Sequence, residues 1–290
     1  MTNYRVQFAA FCCLLSSFTQ PDIVPLHGTI VVIWIEGDRI LVAADSKRRL
    51  GNGLNDFTEK VCKINPMGRR TFFTAGGTVG MEKLTGKGTD TVIYDAHELA
   101  KQTFAESKGR TALELSLYWG KLIKARIEPT LKSHPDISNW DKPAPVLSAV
   151  FAQDTAVGFS VYIVQVNIRP PTVRGGVPTV TVDPHPFGDS PHNRIAAIGS
   201  EAVLYWYEFV TNQTPRAMEA NKELEAAISA DPKSHPLVLK VKLSLAYAIK
   251  WDNGQHAVGG PIDILELKHG KGYCWAFAKD ECRNQKQCAH

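Results

Sequence analysis

The chain has 290 residues, of which 44% are hydrophobic and 21% charged, and its formal net charge is +4. Such values are ordinary for a globular protein and supply enough apolar sequence for a sizeable core. They exclude a nucleic-acid footprint, since Lys and Arg are scattered with no basic stripe, and no apolar run beyond the N-terminus is long enough to span a membrane.

In chain order, Arg5 precedes an apolar stretch over residues 6–15, followed by Ser16, Ser17 and a polar, Pro-containing run to His27. This pattern implies either a secretory leader or a propeptide that is later removed. The first places the protein outside the cell or in the periplasm; the alternative is the cytoplasm. Residues 29–290 are read as one domain. The β-branched run 29–35 predicts a strand, Gly37-Asp38 a turn and 39–44 a second strand of the same hairpin. Residues 50–56 read as a loop. Two short strands follow at 60–64 and 71–75, and four strands in a row predict one antiparallel sheet.

The period then changes to helical over 91–107 and 112–127, with Pro129 and Pro135 as stops. Strands are expected at 146–152, 157–168, 179–182 and 194–198. Helices are expected at 201–210, 216–228 and 237–251, and strands at 262–267 and 272–277. Sheets in the middle with helix pairs outside is the economical packing of that order.

Four cysteines lie downstream, Cys62, Cys274, Cys282 and Cys288. Their even number fits one or two disulfides in an oxidising compartment, while the lack of a Cys-x-x-Cys pair argues against zinc. His185 and His192, with Asp183 and Asp189, also lack zinc-ligand spacing and read as a polar loop. No metal or other cofactor is expected. The glycines of 80–88 miss the phosphate-loop spacing.

Chemistry is concentrated near the front. Thr29 follows Gly28 and stands sixteen residues ahead of Asp45, which closes Ala43-Ala44-Asp45-Ser46. If the chain is cut between Gly28 and Thr29, the threonine carries both a hydroxyl nucleophile and a free α-amine base. That amine has an ordinary pKa near ~7.7–8.0 and can accept a proton at neutral pH. Before the cut its nitrogen is an amide, so the cut itself switches the chemistry on. Read blandly, Thr29 is a routine strand residue, Asp45 a turn cap, Gly76-Gly77 a strand-ending turn and Ser200 a helix N-cap.

A spaced set of segments favours the functional reading. Gly28-Thr29, Ala43-Ala44-Asp45-Ser46, Lys60-Val61-Cys62-Lys63-Ile64, Thr74-Ala75-Gly76-Gly77, Ala197-Ile198-Gly199-Ser200 and Gly259-Gly260-Pro261-Ile262 together resemble the proteasome β-subunit family of N-terminal nucleophile (Ntn) hydrolases. The resemblance implies an α+β fold, a four-layer αββα sandwich of two antiparallel sheets flanked by helix pairs. It implies a threonine peptidase that exposes Thr29 by self-cleavage after Gly28. Asp45 and Lys60 would support the nucleophile, with Lys63 a nearby rival to Lys60. Gly76 would offer an oxyanion-binding N–H, and Ser200 would help hold the amine. Arg48, Thr58, Thr78 and Glu82 would line the substrate cleft, with Glu82 suiting a basic or small polar side chain. The implied partners are a peptide or unfolded protein substrate and further copies of the chain in a ring or stack. The Asp and Ser that the family carries before its Gly-Gly are replaced here by Gln255 and Val258. Two other readings are an Ntn amidase acting on small amides and a non-catalytic proteasome-like subunit.

Overall fold

A computed structural model describes residues 23–26, 29–49, 57–58, 62–83, 91–107, 109–133, 146–169, 171, 176–189, 194–200, 202–230, 235–252, 258–279, 282 and 288. The elements run β1 (Ile23–Leu26), β2 (Ile30–Glu36), β3 (Arg39–Asp45), β4 (Arg48–Arg49), β5 (Phe57–Thr58), β6 (Ile64–Pro66), β7 (Thr71–Gly77), β8 (Gly80–Lys83) and β9 (Thr91–Asp95), then α1 (Ala96–Glu106) and α2 (Ala112–Ser133). There follow β10 (Leu147–Thr155), β11 (Gly158–Arg169), β12 (Thr179–Pro186), β13 (Ile195–Gly199), α3 (Val203–Thr211), α4 (Pro215–Ala230), α5 (Pro236–Asp252), β14 (Ile262–Lys268) and β15 (Gly272–Phe277).

Two five-stranded sheets carry the core. One has the order β13-β2-β3-β14-β15, the other β12-β11-β10-β7-β6. Every described strand pair in them is antiparallel. Alternation along β2 sends Val31, Ile33 and Ile35 into a cluster with Phe72, Val150 and Val161 of the other sheet. The opposite face, Ile30 and Val32, meets Trp206 of α3 and Val241 and Leu245 of α5. On the second sheet, Phe73, Ala149 and Phe151 pack against Leu115, Trp119 and Ile123 of α2. These inner strands are buried on both faces, which explains runs such as Ile40 to Ala44 that do not alternate with polar residues.

Buried polar groups also join the sheets. Asp154, at the end of β10, accepts from the Gly270 N–H at 2.9 Å and pairs with His269 Nδ1 at 2.6 Å on the β14–β15 turn. Among the described residues two disulfides sew the C-terminal tail to the fold, Cys62–Cys282 and Cys274–Cys288.

The expected four-layer αββα sandwich of two sheets flanked by helix pairs is corrected. Among the described residues the chain is mostly β, with three antiparallel sheets and five helices. The third sheet, β1-β8-β9, is built from a segment read as a leader, one given no element and the start of an expected helix, and β4-β5 adds a two-stranded ribbon. Thr91-Val92-Ile93-Tyr94 is β-branched and aromatic, and it pairs as β9. Asp95 then caps α1, its carboxylate accepting from the His97 and Glu98 N–H groups at 2.8 and 3.2 Å. A helix over 91–107 therefore begins five residues late. The five helices also do not pair off evenly, since Ala217 and Leu224 of α4 pack on Phe209 of α3 and Tyr247 of α5.

Three smaller corrections follow. The strands read as one run divide between sheets, β2–β3 in the first and β6–β7 in the second. Pro129 sits inside α2, whose last turns stay on the sheet through buried Ile127, Thr130 and Leu131. Asp183 and His185 lie in β12 rather than in a loop, and His192 lies outside the described residues.

Candidate active site

The first sheet delivers Thr29 and Asp45 to the same end because β2 and β3 form a hairpin, with Val31 opposite Ala44. Thr29 is fully buried in the uncut chain. Its carbonyl accepts from the Ser200 N–H at 3.0 Å and from the Gly77 N–H at 3.4 Å. Its hydroxyl is buried and has no hydrogen-bond partner among the described residues. A buried hydroxyl without a partner is costly to a fold, so such a group invites a chemical explanation.

Beside it lies a buried ion pair. Asp45 Oδ1 accepts from the Ile30 N–H at 3.0 Å and from Lys63 Nζ at 3.2 Å, and Oδ2 accepts from the Gly259 N–H at 3.0 Å. Lys63 also donates to the Lys47 carbonyl, and only 1% of it is exposed. Burial pushes the Asp45 carboxyl above its ordinary range, against the pull of Lys63 and of the Gly259 and Ile30 amides. The carboxylate is thus tied at once to the residue after Thr29, to the lysine and to the loop before β14. That loop is itself pinned, because Gly259 accepts from the Ser46 and Lys47 N–H groups at 3.2 and 3.0 Å and the Pro261 carbonyl accepts from the Ser46 hydroxyl.

Two glycines let the strands close around the threonine. A Cβ on Gly199, whose φ is +123°, would lie 1.9 Å from the Thr29 carbonyl oxygen. A Cβ on Gly76 would lie 2.8 Å from the Gly199 Cα. Only glycine lets β7 and β13 approach this closely.

The sequence-predicted residues are therefore placed as follows. Thr29, Asp45, Gly76 and Ser200 come together. Ser200 gives its N–H to Thr29, and its hydroxyl accepts from the Ala202 N–H at 3.3 Å; the N-cap of α3 is Ala202, with no side-chain cap bond, so Ser200 is not the helix N-cap of the bland reading. Gly76 marks the close approach, and the N–H that reaches Thr29 is that of Gly77. Gly28 and Lys60 lie outside the described residues, and the ion pair with Asp45 is made by Lys63.

Arg48 and Thr58 face each other across the β4–β5 ribbon. Thr78 is buried, donates its N–H to the Val146 carbonyl at 2.8 Å and accepts at its own carbonyl from the Tyr94 hydroxyl at 2.9 Å. Glu82 is half-buried on β8, opposite Val24 of β1. Of the substituted supporting pair, Val258 is buried in the α3–α5 core and Gln255 lies outside the described residues.

Sequence reasoning missed Gly199 and Gly259 as structural partners of Thr29 and Asp45. Their signal was the Gly-Ser and Gly-Gly words, which carry no distance information by themselves. Glu266, Cys274 and Cys288 converge, but the two sulfurs are bonded to each other and leave no thiolate for a metal. No helix among the described residues is long and apolar enough to cross a membrane.

The arrangement buries the threonine hydroxyl one residue from an amide whose acceptor, the Asp45 carboxylate, is paired with Lys63. Compared with known proteins, no family model and no curated protein matches the chain, so the candidate site rests on its own geometry.

Proposed function

We propose that the protein is a threonine-type peptidase that exposes Thr29 by self-cleavage after Gly28. The observation that carries this reading is the buried Thr29 hydroxyl, without a partner among the described residues and one residue from an amide held by the Asp45–Lys63 ion pair. In the working molecule the freed Thr29 amine takes the hydroxyl proton as Oγ attacks a peptide carbonyl. The C–N bond breaks, the leaving amine carries the proton away, and a threonyl ester remains for water to hydrolyse. Lys63 lowers the proton affinity of amine and hydroxyl and stabilises charge developing beside it. Asp45 keeps that lysine in place. Full burial of Thr29 keeps foreign substrates from the hydroxyl until the leader departs. The two disulfides support an oxidising compartment as the place of action.

The test is intact mass and N-terminal sequencing of the purified full chain, followed by hydrolysis of peptide amides. The wild type is expected to begin at Thr29 and to cleave, while Thr29→Ala retains residues 1–28 and does not. A wild type that keeps its first 28 residues overturns the reading, as does a Thr29→Ala chain processed at the same bond.

A further inference from the structure

β1 is four residues long, yet it completes a sheet, and its residues precede Thr29 by only three to six positions. It runs antiparallel along β8, with Ile23 opposite Lys83, Val24 opposite Glu82, Pro25 opposite Met81 and Leu26 opposite Gly80. β8 is the middle strand of its sheet, with β9 on its other side. The track leads straight to the site. Gly80 follows Gly77 by three residues, and the Gly77 N–H donates to the Thr29 carbonyl. The hairpin is also firmly seated, since Met81 and Tyr94 are buried in the cluster formed with α1 and α2.

We propose that the edge of β8, Gly80–Lys83, is the docking rail for an extended peptide substrate. It would pair with the third to sixth residues before the bond to be cut, and the leader strand is its first occupant. This rests on the peptidase reading above. Cutting the chain after Gly28 turns the leader from a tethered strand into a free fragment, so it loses the high effective concentration that tethering gives. Its departure bares a row of unpaired main-chain groups on β8 beside the nucleophile. An added strand satisfies such an edge through its backbone and so accepts many sequences. Pro25 has no N–H to give and is tolerated where its nitrogen faces away from the ladder, so donation to β8 falls to Val24 and Leu26. The rail thus selects for an extended backbone at least six residues long before the cut, and it accepts proline at the fourth.

The test separates docking from cleavage. The probe is a fluorescent peptide with the sequence Ile-Val-Pro-Leu-His-Gly. Its binding is measured by polarisation to two full-length chains, Thr29→Ala and Thr29→Ala with Val24→Pro and Leu26→Pro. Neither chain can cut itself, and the second cannot seat its own leader. The peptide is expected to bind the second chain at least about tenfold more tightly than the first. N-methylation of its valine and leucine should weaken binding by about tenfold, as loss of edge hydrogen bonds requires. Equal binding to both chains, or indifference to N-methylation, overturns the rail. On processed wild-type enzyme, the six-residue amide should show a KM about tenfold below that of the Leu-His-Gly amide, and equal KM values also overturn it. Peptide binding with no hydrolysis of any amide would instead refute the peptidase reading.

Discussion

At position 29 a methyl group would fit the fold better than the hydroxyl does. The Thr29 Oγ is buried without a partner among the described residues, so Thr29→Val removes an uncompensated polar atom while keeping the shape. It is expected to raise unfolding free energy by about 1 kcal/mol in a denaturant titration, and to leave residues 1–28 attached by intact mass. Lys63 presents the opposite case. Lys63→Ala strands the Asp45 carboxylate in the interior, and a stability loss of about 3–5 kcal/mol is expected by the same titration. The double variant Lys63→Met with Asp45→Asn should recover most of it, since both charges then leave together. Thr29 and Asp45 were legible in the sequence because a hairpin of fixed length sets their separation. The choice between Lys60 and Lys63 was not legible. The strand that follows starts at Ile64, so neither lysine inherits a face from strand alternation, and tertiary contact with Asp45 decides.

Among the elements, the helices α3, α4 and α5 meet around one carboxylate. Glu208 accepts from the Arg216 guanidinium and the Thr214 hydroxyl, and from the Tyr247 hydroxyl at 2.6 Å. Arg216 also stacks 4.4 Å over the Trp251 ring. Donation from Arg216, with help from Thr214 and Tyr247, holds the Glu208 carboxyl down to about 2 from its ordinary 4.5. A depressed carboxyl favours the folded state above its ordinary pKa, and that contribution fades as pH falls from 4.5 towards 2. The wild type is therefore expected to melt above Glu208→Gln at neutral pH, with the gap closing across that acid window. A gap that persists at pH 2 would show that the contact acts through packing instead. Element types were largely legible, because β2, β3, β11, α5 and β15 have clear apolar periods close to their observed bounds. The third sheet was not. β8 contains glycine, methionine, glutamate and lysine, none a strong strand former, and it is a strand because β1 and β9 flank it.

On the scale of the molecule, the disulfide Cys62–Cys282 joins residues 220 apart and lies next to Lys63. Closing so long a loop restricts the unfolded chain, with a stabilisation of up to about 5 kcal/mol in the chain-entropy account. Cys282→Ala is expected to lower the melting temperature by several degrees, and dithiothreitol should do the same to the wild type but add less to the variant. Four paired cysteines were legible from their even number, but which bonds with which was not, since pairing depends on how β14 and β15 lay the tail against the first sheet.

The hold on Asp45 by the Gly259 N–H carries a consequence for timing. Thr29 and Asp45 are synthesised well ahead of this donor, which follows Asp45 by 214 residues and is itself followed by the strand that anchors it against β3. A polypeptide still threading out of the ribosome has its hydroxyl but not the clasp around it. On the peptidase reading proposed above, the cut therefore waits until Gly259 and β14 are in place, and a product truncated ahead of Gly259 is expected to keep residues 1–28 by intact mass.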